Sequence, residues 1–287
     1  MQSKFTKHHP KIVAVIPCFN TEQTIGEVVV NAQKYVDEVI VVDDGSSDNT
    51  TEAARNSGAI IIKHDKNRGK GAVMKNAAKI ADCDILVFID GDGQHDAEEI
   101  PKLLKPIIEG KADFVIGSRF SLKSTTLNRP LLRNMANKLA SFIISFIISF
   151  LQPIARIINR NSGFAKNTKG KEEKSNNISY VKSTGYRVLS GRFKWVSDCT
   201  SGFTAMKRDN WETLDLISDG FQIETEMIFE QAKNGYVIAE VPITCLWNGS
   251  SSKLSIMKDG FNTLILLIRK LFIVPLETRC NKEEELN

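Results

Sequence analysis

Over the first 120 positions, short runs of branched apolar residues alternate with stretches of helical spacing. Lys11–Ile16, Glu38–Val42, residues 59–63, residues 84–89 and Asp113–Ile116 read as strands. Several are apolar without alternation, as expected for strands covered on both faces. Residues 22–34, 48–57, 69–80 and about 96–109 read as helices between them. Strands separated by helix-length segments predict right-handed βαβ units and an α/β fold with a central, mostly parallel sheet. Ligands bind such sheets beyond the carboxyl ends of the strands. Pro17–Asn20, Asp43–Ser46 and Asp90–Gln94 all fall there.

The pattern then changes. LASFIISFIISFL at 139–151 is apolar apart from serines at 141, 145 and 149, which form one small polar stripe on a helix. The uncharged run Leu139–Ala155 is 17 residues long, at the bottom of the range that spans a bilayer, about 17 to 25 residues. A helix lying in the membrane interface is the preferred reading of about 131–158, with a buried core helix second and a span third. Residues 159–183 are polar and loop-like. From Asp198 the α/β pattern resumes, with a short strand near 202–207, helices near 208–216 and 223–233, and the strand Val237–Ile243. An apolar helix, FNTLILLIRKLFIVPL at 261–276, precedes a charged tail. The expected division is a main domain over 1–245 and a C-terminal acceptor loop and interface helix over 246–287.

Composition changes this picture only where charge is unevenly spread. Residues 156–194 hold ten basic and two acidic residues, a net +8, against −4 for the rest of the chain. An anionic partner is implied for that segment alone. Its place directly after the most apolar run favours a membrane surface over nucleic acid, and it lacks interleaved aromatic residues in a nucleic-acid-binding pattern. Five scattered cysteines with no CxxC spell neither a disulfide framework nor a zinc site, and imply a reducing compartment. The polar, basic start has no apolar core of the kind a signal peptide needs.

The candidate chemistry centres on Ile85–Ile89 running into Asp90-Gly91-Asp92-Gly93-Gln94. Residues two apart at a strand end project to the same side, so Asp90 and Asp92 can share one cation. Two carboxylates on a tight turn suit a hard divalent ion that phosphate oxygens also hold. Lys70, at the start of the third helix, and the free N–H groups there suit a diphosphate. Asp44 can accept hydrogen bonds from a base or ribose; Asp43 reads equally as a turn residue or a ligand. His95 could be a further member of this site, but a solvent-facing turn residue is the preferred reading.

PCFN (17–20), VVDDGSSDNT (41–50), NRGKGAV (67–73), FIDGDGQHD (88–96) and GSRF (117–120) occur in that order. With them the chain resembles the family 2 nucleotide-sugar glycosyltransferases, most closely the dolichyl- and polyprenyl-phosphate sugar synthases. The resemblance implies a Rossmann-like, glycosyltransferase A-type fold. It implies nucleotide-sugar binding by Pro17, Phe19, Asn20, Glu22, Val42, Asp44, Lys70, Asp90, Gly91, Asp92 and Gln94. Asp90, Asp92 and Gln94 would hold Mg2+ or Mn2+. Arg119 and Arg133 would bind phosphate, Arg133 at membrane level, with Asn137 where relatives often carry serine. DCTSGFTAMKR (198–208) and FQIETEMIFEQAKNGYVIAEVPI (221–243) match the second half of the family. There Glu224 and Glu226 are the candidate carboxylates, and Glu226 is assigned to orienting the acceptor or a Lys/Arg network. SSKLS (251–255) would bring Ser252 and Lys253 to the acceptor phosphate, although Trp247 stands where relatives have arginine.

The expected activity is inverting transfer of one sugar from a nucleotide donor to dolichyl or polyprenyl phosphate at the cytoplasmic membrane face. Asp92, Arg119, Arg133 and Glu226 form the expected catalytic set. UDP-N-acetylglucosamine or UDP-glucose ranks ahead of GDP-mannose as donor. The alternatives are extension of a lipid-linked saccharide and a non-catalytic nucleotide-binding scaffold.

Overall fold

The computed structural model describes residues 9–121, 124–127, 135, 137–146, 149, 185–189, 195–246 and 256–270. The expected strands form: β1 Ile12–Cys18, β2 Glu38–Asp43, β3 Ile60–Lys63, β4 Ile85–Phe88 and β5 Phe114–Ser118. Beyond them come β6 Thr125–Leu127, β7 Arg187–Leu189, β8 Thr204–Lys207, β9 Ile238–Pro242 and β10 Thr244–Leu246. The helices are α1 Ile25–Ala32, α2 Thr50–Asn56, α3 Lys70–Ile80, α4 Ile100–Ile108, α5 Arg208–Glu212, α6 Ile223–Lys233 and α7 Ile256–Ile268. Residues 137–146 are also helical.

Eight strands make one sheet in the order β3-β2-β1-β4-β8-β5-β9-β7. β1, β2, β3 and β4 run parallel, as do β5 and β9, while β8 runs antiparallel to both β4 and β5. The reversed β8 has a simple consequence. Residues just before it, 198–203, enter at the rim where β4 and β5 end. A separate pair, β6 with β10, lies parallel beside the main sheet.

Alternate residues of each central strand serve opposite faces. On one face Val13, Val15, Leu86 and Phe88 pack with Met74 of α3 and Met227 and Phe229 of α6. On the other, Ala14, Ile16, Ile85 and Val87 pack with Val29 of α1 and Leu103 of α4. Helices therefore cover both faces, which explains the unbroken apolar strands. Phe88 lies wholly inside, 5.3 Å from Trp211 between ring centroids; burying such a side chain contributes about 1.5–3 kcal/mol.

The serine stripe faces inward. Ser141, Ser145 and Ser149 are buried, whereas Leu139, Phe142, Ile143 and Phe146 are exposed. Ser145 Oγ donates to the Val196 carbonyl at 3.0 Å and accepts from its N–H at 3.1 Å, and Ser141 Oγ accepts from Cys199 N–H at 3.0 Å. This helix thus turns its polar stripe to the protein and apolar residues outward. Among the described residues no helix is long and apolar enough to cross a membrane.

Candidate active site

Three loops at the carboxyl ends of β1, β2 and β4 are latched together. Asn20, held at φ 54°, donates its N–H to Ser46 Oγ at 2.9 Å and accepts from Ser47 N–H at 2.9 Å. Glu22 accepts from Asn49 N–H at 2.9 Å. Thr24 Oγ1 donates to the Gly91 carbonyl at 2.7 Å, which ties the turn after β4 to the start of α1. Pro17 and Phe19 lie on the first of these loops, and Val42 is buried in β2.

Asp43 and Asp44 part company. Asp43 is fully buried and accepts from Ser46 N–H at 2.8 Å and from the Thr51 hydroxyl, a turn-holding role. Asp44 is also buried and accepts from His64 Nδ1 at 2.8 Å, Arg68 N–H at 2.9 Å and Gly69 N–H at 2.8 Å. It therefore shapes the loop that carries Lys70. The expected free N–H groups at the start of α3 are occupied, because Gly71 and Ala72 donate to the Asp219 carbonyl at 2.8 and 3.2 Å. The start of α3 therefore offers the Lys70 side chain, not an open helix end.

Lys70 is the centre of the site. Its Nζ lies 2.5 Å from Asp90 Oδ1 and 2.5 Å from Glu224 Oε1, although Glu224 is 154 residues further along the chain. Gly202 supplies the floor: a Cβ there would sit 2.2 Å from Asp90 Oδ2 and 2.6 Å from Lys70 Nζ. Asp92 sits beyond, accepting from Gln94 N–H at 3.0 Å. Gln94 in turn accepts at its carbonyl from Leu246 N–H at 2.9 Å, so β10 ends beside the acidic turn. His95 is a correction to the sequence reading: it is 5% exposed, packed near Phe203, with Nδ1 unpartnered.

Arg119 extends from the end of β5. Its Nε and Nη2 fork onto buried Asp198 at 2.7 Å each, and Nη2 also reaches the Thr200 carbonyl at 2.7 Å. Glu226 sits in a different setting from Glu224. The two carboxylates are two residues apart on α6, which turns them about 200° around a helix. Glu226 is fully buried, accepts from Ile217 and Ser218 N–H at 2.9 Å each, and pairs with Lys270 at 3.1 Å. Its carboxylate braces a loop, and Glu224 is the one that meets Asp90 through Lys70. Asn137 lies in helix 137–146. Arg133, Ser252 and Lys253 lie outside the described residues, as does Trp247; the chain leaves for them from β6 and β10.

The charges explain the site's titration. Lys70 and Arg119 stand against Asp90, Asp92, Glu224 and Asp198, two cations for four carboxylates. Burial favours neutral Asp90, yet Lys70, His95 and Arg119 outweigh it and hold the carboxyl below its ordinary value. Asp92 is pushed up to about 6 by burial and then by the Asp90 charge. Glu224 rises to about 7, again by burial, with Lys70 opposing and Asp90 adding. The cluster carries excess negative charge that a divalent cation would relieve. Among the described residues no three His, Cys, Asp or Glu form a self-contained metal cage. Asp90 and Asp92 on one turn suit a hard divalent ion that substrate phosphates also hold.

The sheet order, with its acidic turn at the carboxyl rim, is that of a glycosyltransferase of the A-type fold. Residues 13–213 match the model of glycosyl transferase family 2, and the chain belongs to that family. Glycosyltransferase AglJ of Haloferax volcanii is 30% identical over 270 residues, covering 91% of this chain and 72% of that one. The UDP-N-acetylglucosamine–dolichyl-phosphate N-acetylglucosaminyltransferase of Methanococcus voltae is 35% identical over 148 residues, 44% of this chain and 59% of that one. Such relatives bear out the resemblance to the polyprenyl-phosphate sugar synthases. In fold the chain is similar to glucosyl-3-phosphoglycerate synthase of Mycobacterium tuberculosis, solved with Mn2+, UDP-glucose and phosphoglyceric acid. The TM-score is 0.60 at 20% identity, covering 91% of this chain and 79% of that one.

Sequence reasoning missed Gly202 and Asp198, although DCTSGF carries both. It weighed Glu224 but chose Glu226.

Proposed function

We propose that this enzyme transfers one sugar from a nucleotide donor to the phosphate of a dolichyl or other polyprenyl phosphate, with inversion, at the cytoplasmic face of a membrane. The single observation that carries the reading is the Lys70–Asp90–Glu224 cluster, with Asp92 beside it, on the ligand-binding rim of the sheet. Asp90 and Asp92, with Gln94, would hold Mg2+ or Mn2+, which when bound supplies charge neutralisation to a departing nucleoside diphosphate. Lys70 fixes the Asp90 carboxylate by direct pairing. Arg119, held in place by Asp198, presents positive charge at the same rim. A phosphate acceptor is largely dianionic at pH 7, so its oxygen attacks the anomeric carbon without needing a protein base.

Membrane attachment follows from the outward apolar residues of helix 137–146, from exposed Phe261, Leu264, Ile265 and Ile268 of α7, and from the basic segment 156–194. Each cation close to an anionic surface contributes about 1 kcal/mol, less as salt rises. Deleting residues 160–192 is expected to release the protein from anionic liposomes at moderate salt; undiminished co-sedimentation counts against that role for the segment.

UDP-N-acetylglucosamine and UDP-glucose are preferred as donors over GDP-mannose. The deciding experiment incubates labelled donors with a polyprenyl phosphate and Mg2+ or Mn2+, then tests the product with mild acid. An acid-labile lipid-linked sugar supports the reading, and no transfer from any donor overturns it. Glu224 favours one second reading, extension of a lipid-linked saccharide, because a carboxyl raised to about 7 is poised to accept a hydroxyl proton. Under that reading activity rises with pH through about 7 and Glu224→Gln removes the rise.

A further inference from the structure

We infer that Lys270 is a positioning residue for Lys70, acting through Glu226 and the loop before α6. It lies in the turn that continues α7, and its side chain is wholly inside although it follows the apolar run Leu264–Ile268 and Arg269. Nζ pairs with Glu226 at 3.1 Å, Glu230 at 3.2 Å and Asp215 at 3.1 Å, and donates to the Asp215 carbonyl. One buried cation thus binds carboxylates from α6 and from the segment leading into it.

Glu226 carries the contact onward. Its two oxygens take the N–H groups of Ile217 and Ser218, which set the path of the backbone into Asp219. That backbone lies directly on the start of α3. The Asp219 carbonyl accepts from Gly71 and Ala72. A Cβ on Gly69 would sit 2.3 Å from the Asp219 carbonyl oxygen, and one on Gly71 would sit 2.3 Å from that of Ser218. Backbone packed on backbone leaves no soft side chain to absorb a shift. Lys70 stands between those two glycines and reaches Asp90 and Glu224. The path from α7 to the acidic turn is therefore a chain of short polar contacts, each with its oxygens and N–H groups assigned.

Two α7 residues anchor the body, Leu266 and Leu267, both buried, while Phe261, Leu264, Ile265 and Ile268 face outward. Lys270 adds a polar hold to these apolar ones. Loss of Lys270 strips buried Glu226 of that cation while Glu230 keeps Lys233 at 3.3 Å, and Glu226 then has reason to abandon the Ile217 and Ser218 amides.

The inference rests on the glycosyltransferase site described above, but its test does not require turnover. Lys270→Met, Lys270→Arg and Glu226→Gln are compared in the full chain with Val29→Ala, a core change on the opposite face of the sheet. Amide hydrogen exchange is followed over 69–74, β1 and β4. Lys270→Met and Glu226→Gln are expected to speed exchange in 69–74 about tenfold, the low end of what lost supporting contacts cost a ligand site. β1 and β4 should keep their protection, Val29→Ala should spare 69–74, and Lys270→Arg should restore it. In turnover assays the same two variants should raise donor KM, whereas a purely structural loss lowers kcat with the folded fraction and leaves KM alone. Unchanged exchange in 69–74, or a loss spread equally over β1 and β4, overturns the inference. A wild-type protein that turns over no donor refutes the substrate reading and leaves the exchange result to decide this one.

Discussion

Lys70 holds two carboxylates that would repel each other without it. Removing one partner of a buried ion pair costs about 3–5 kcal/mol, so Lys70→Met is expected to lower the stability seen in urea unfolding by about that much. Activity should fall about 100-fold or more, comparable to loss of one electrostatic catalytic donor. Gly202→Ala tests the floor of the same site. The new methyl group would meet Asp90 Oδ2 at 2.2 Å, so Mn2+ affinity measured by calorimetry should drop while circular dichroism stays unchanged. At this scale Asp90, Asp92 and Lys70 were legible, because glycine turns after apolar strands mark the rim. The choice between Glu224 and Glu226 was not. Residues 223–232 are buried without exception, so α6 has no polar face from which its rotation could be read.

Among the elements, the helix containing Ser141 and Ser145 shows what a pattern leaves open. The four-residue spacing announced one polar stripe, and only packing shows that the stripe faces the protein. It grips residues 196–199, next to the Asp198 that orients Arg119. Ser145→Ala removes both bonds to Val196 and strands its backbone groups, and should cost about 1–3 kcal/mol. β8 was legible as a strand from its apolar run, but its direction was not, since hydrophobicity carries no sign. β6, β7 and β10 are three residues each, too short for any period to emerge. Buried Glu240 on β9 gives a pH test. Burial pushes it from 4.5 up to about 7, with Ser197 hydrogen bonds opposing. The folded state then binds more protons than the unfolded one between those values, so stability falls as pH rises from about 4.5 to about 7. Asp92 and Glu224 add the same sign. Thermal unfolding of Glu240→Gln should therefore show a shallower decline than wild type over that window.

For the molecule as a whole, apolar side chains are exposed on helix 137–146 and on α7. Phe142→Asp combined with Phe261→Asp should abolish co-sedimentation with anionic vesicles while leaving UDP binding in solution intact. Retained sedimentation would move the attachment elsewhere. The order of the sheet bears also on how the chain is made. β5 finds its neighbours only in β8 and β9, which a ribosome delivers some ninety residues and more after β5 itself. Until then β4 presents a bare edge, a ready template for unwanted pairing. A nascent chain halted before Thr204 would be a chaperone client, and truncation there should yield inclusion bodies in place of a smaller soluble enzyme.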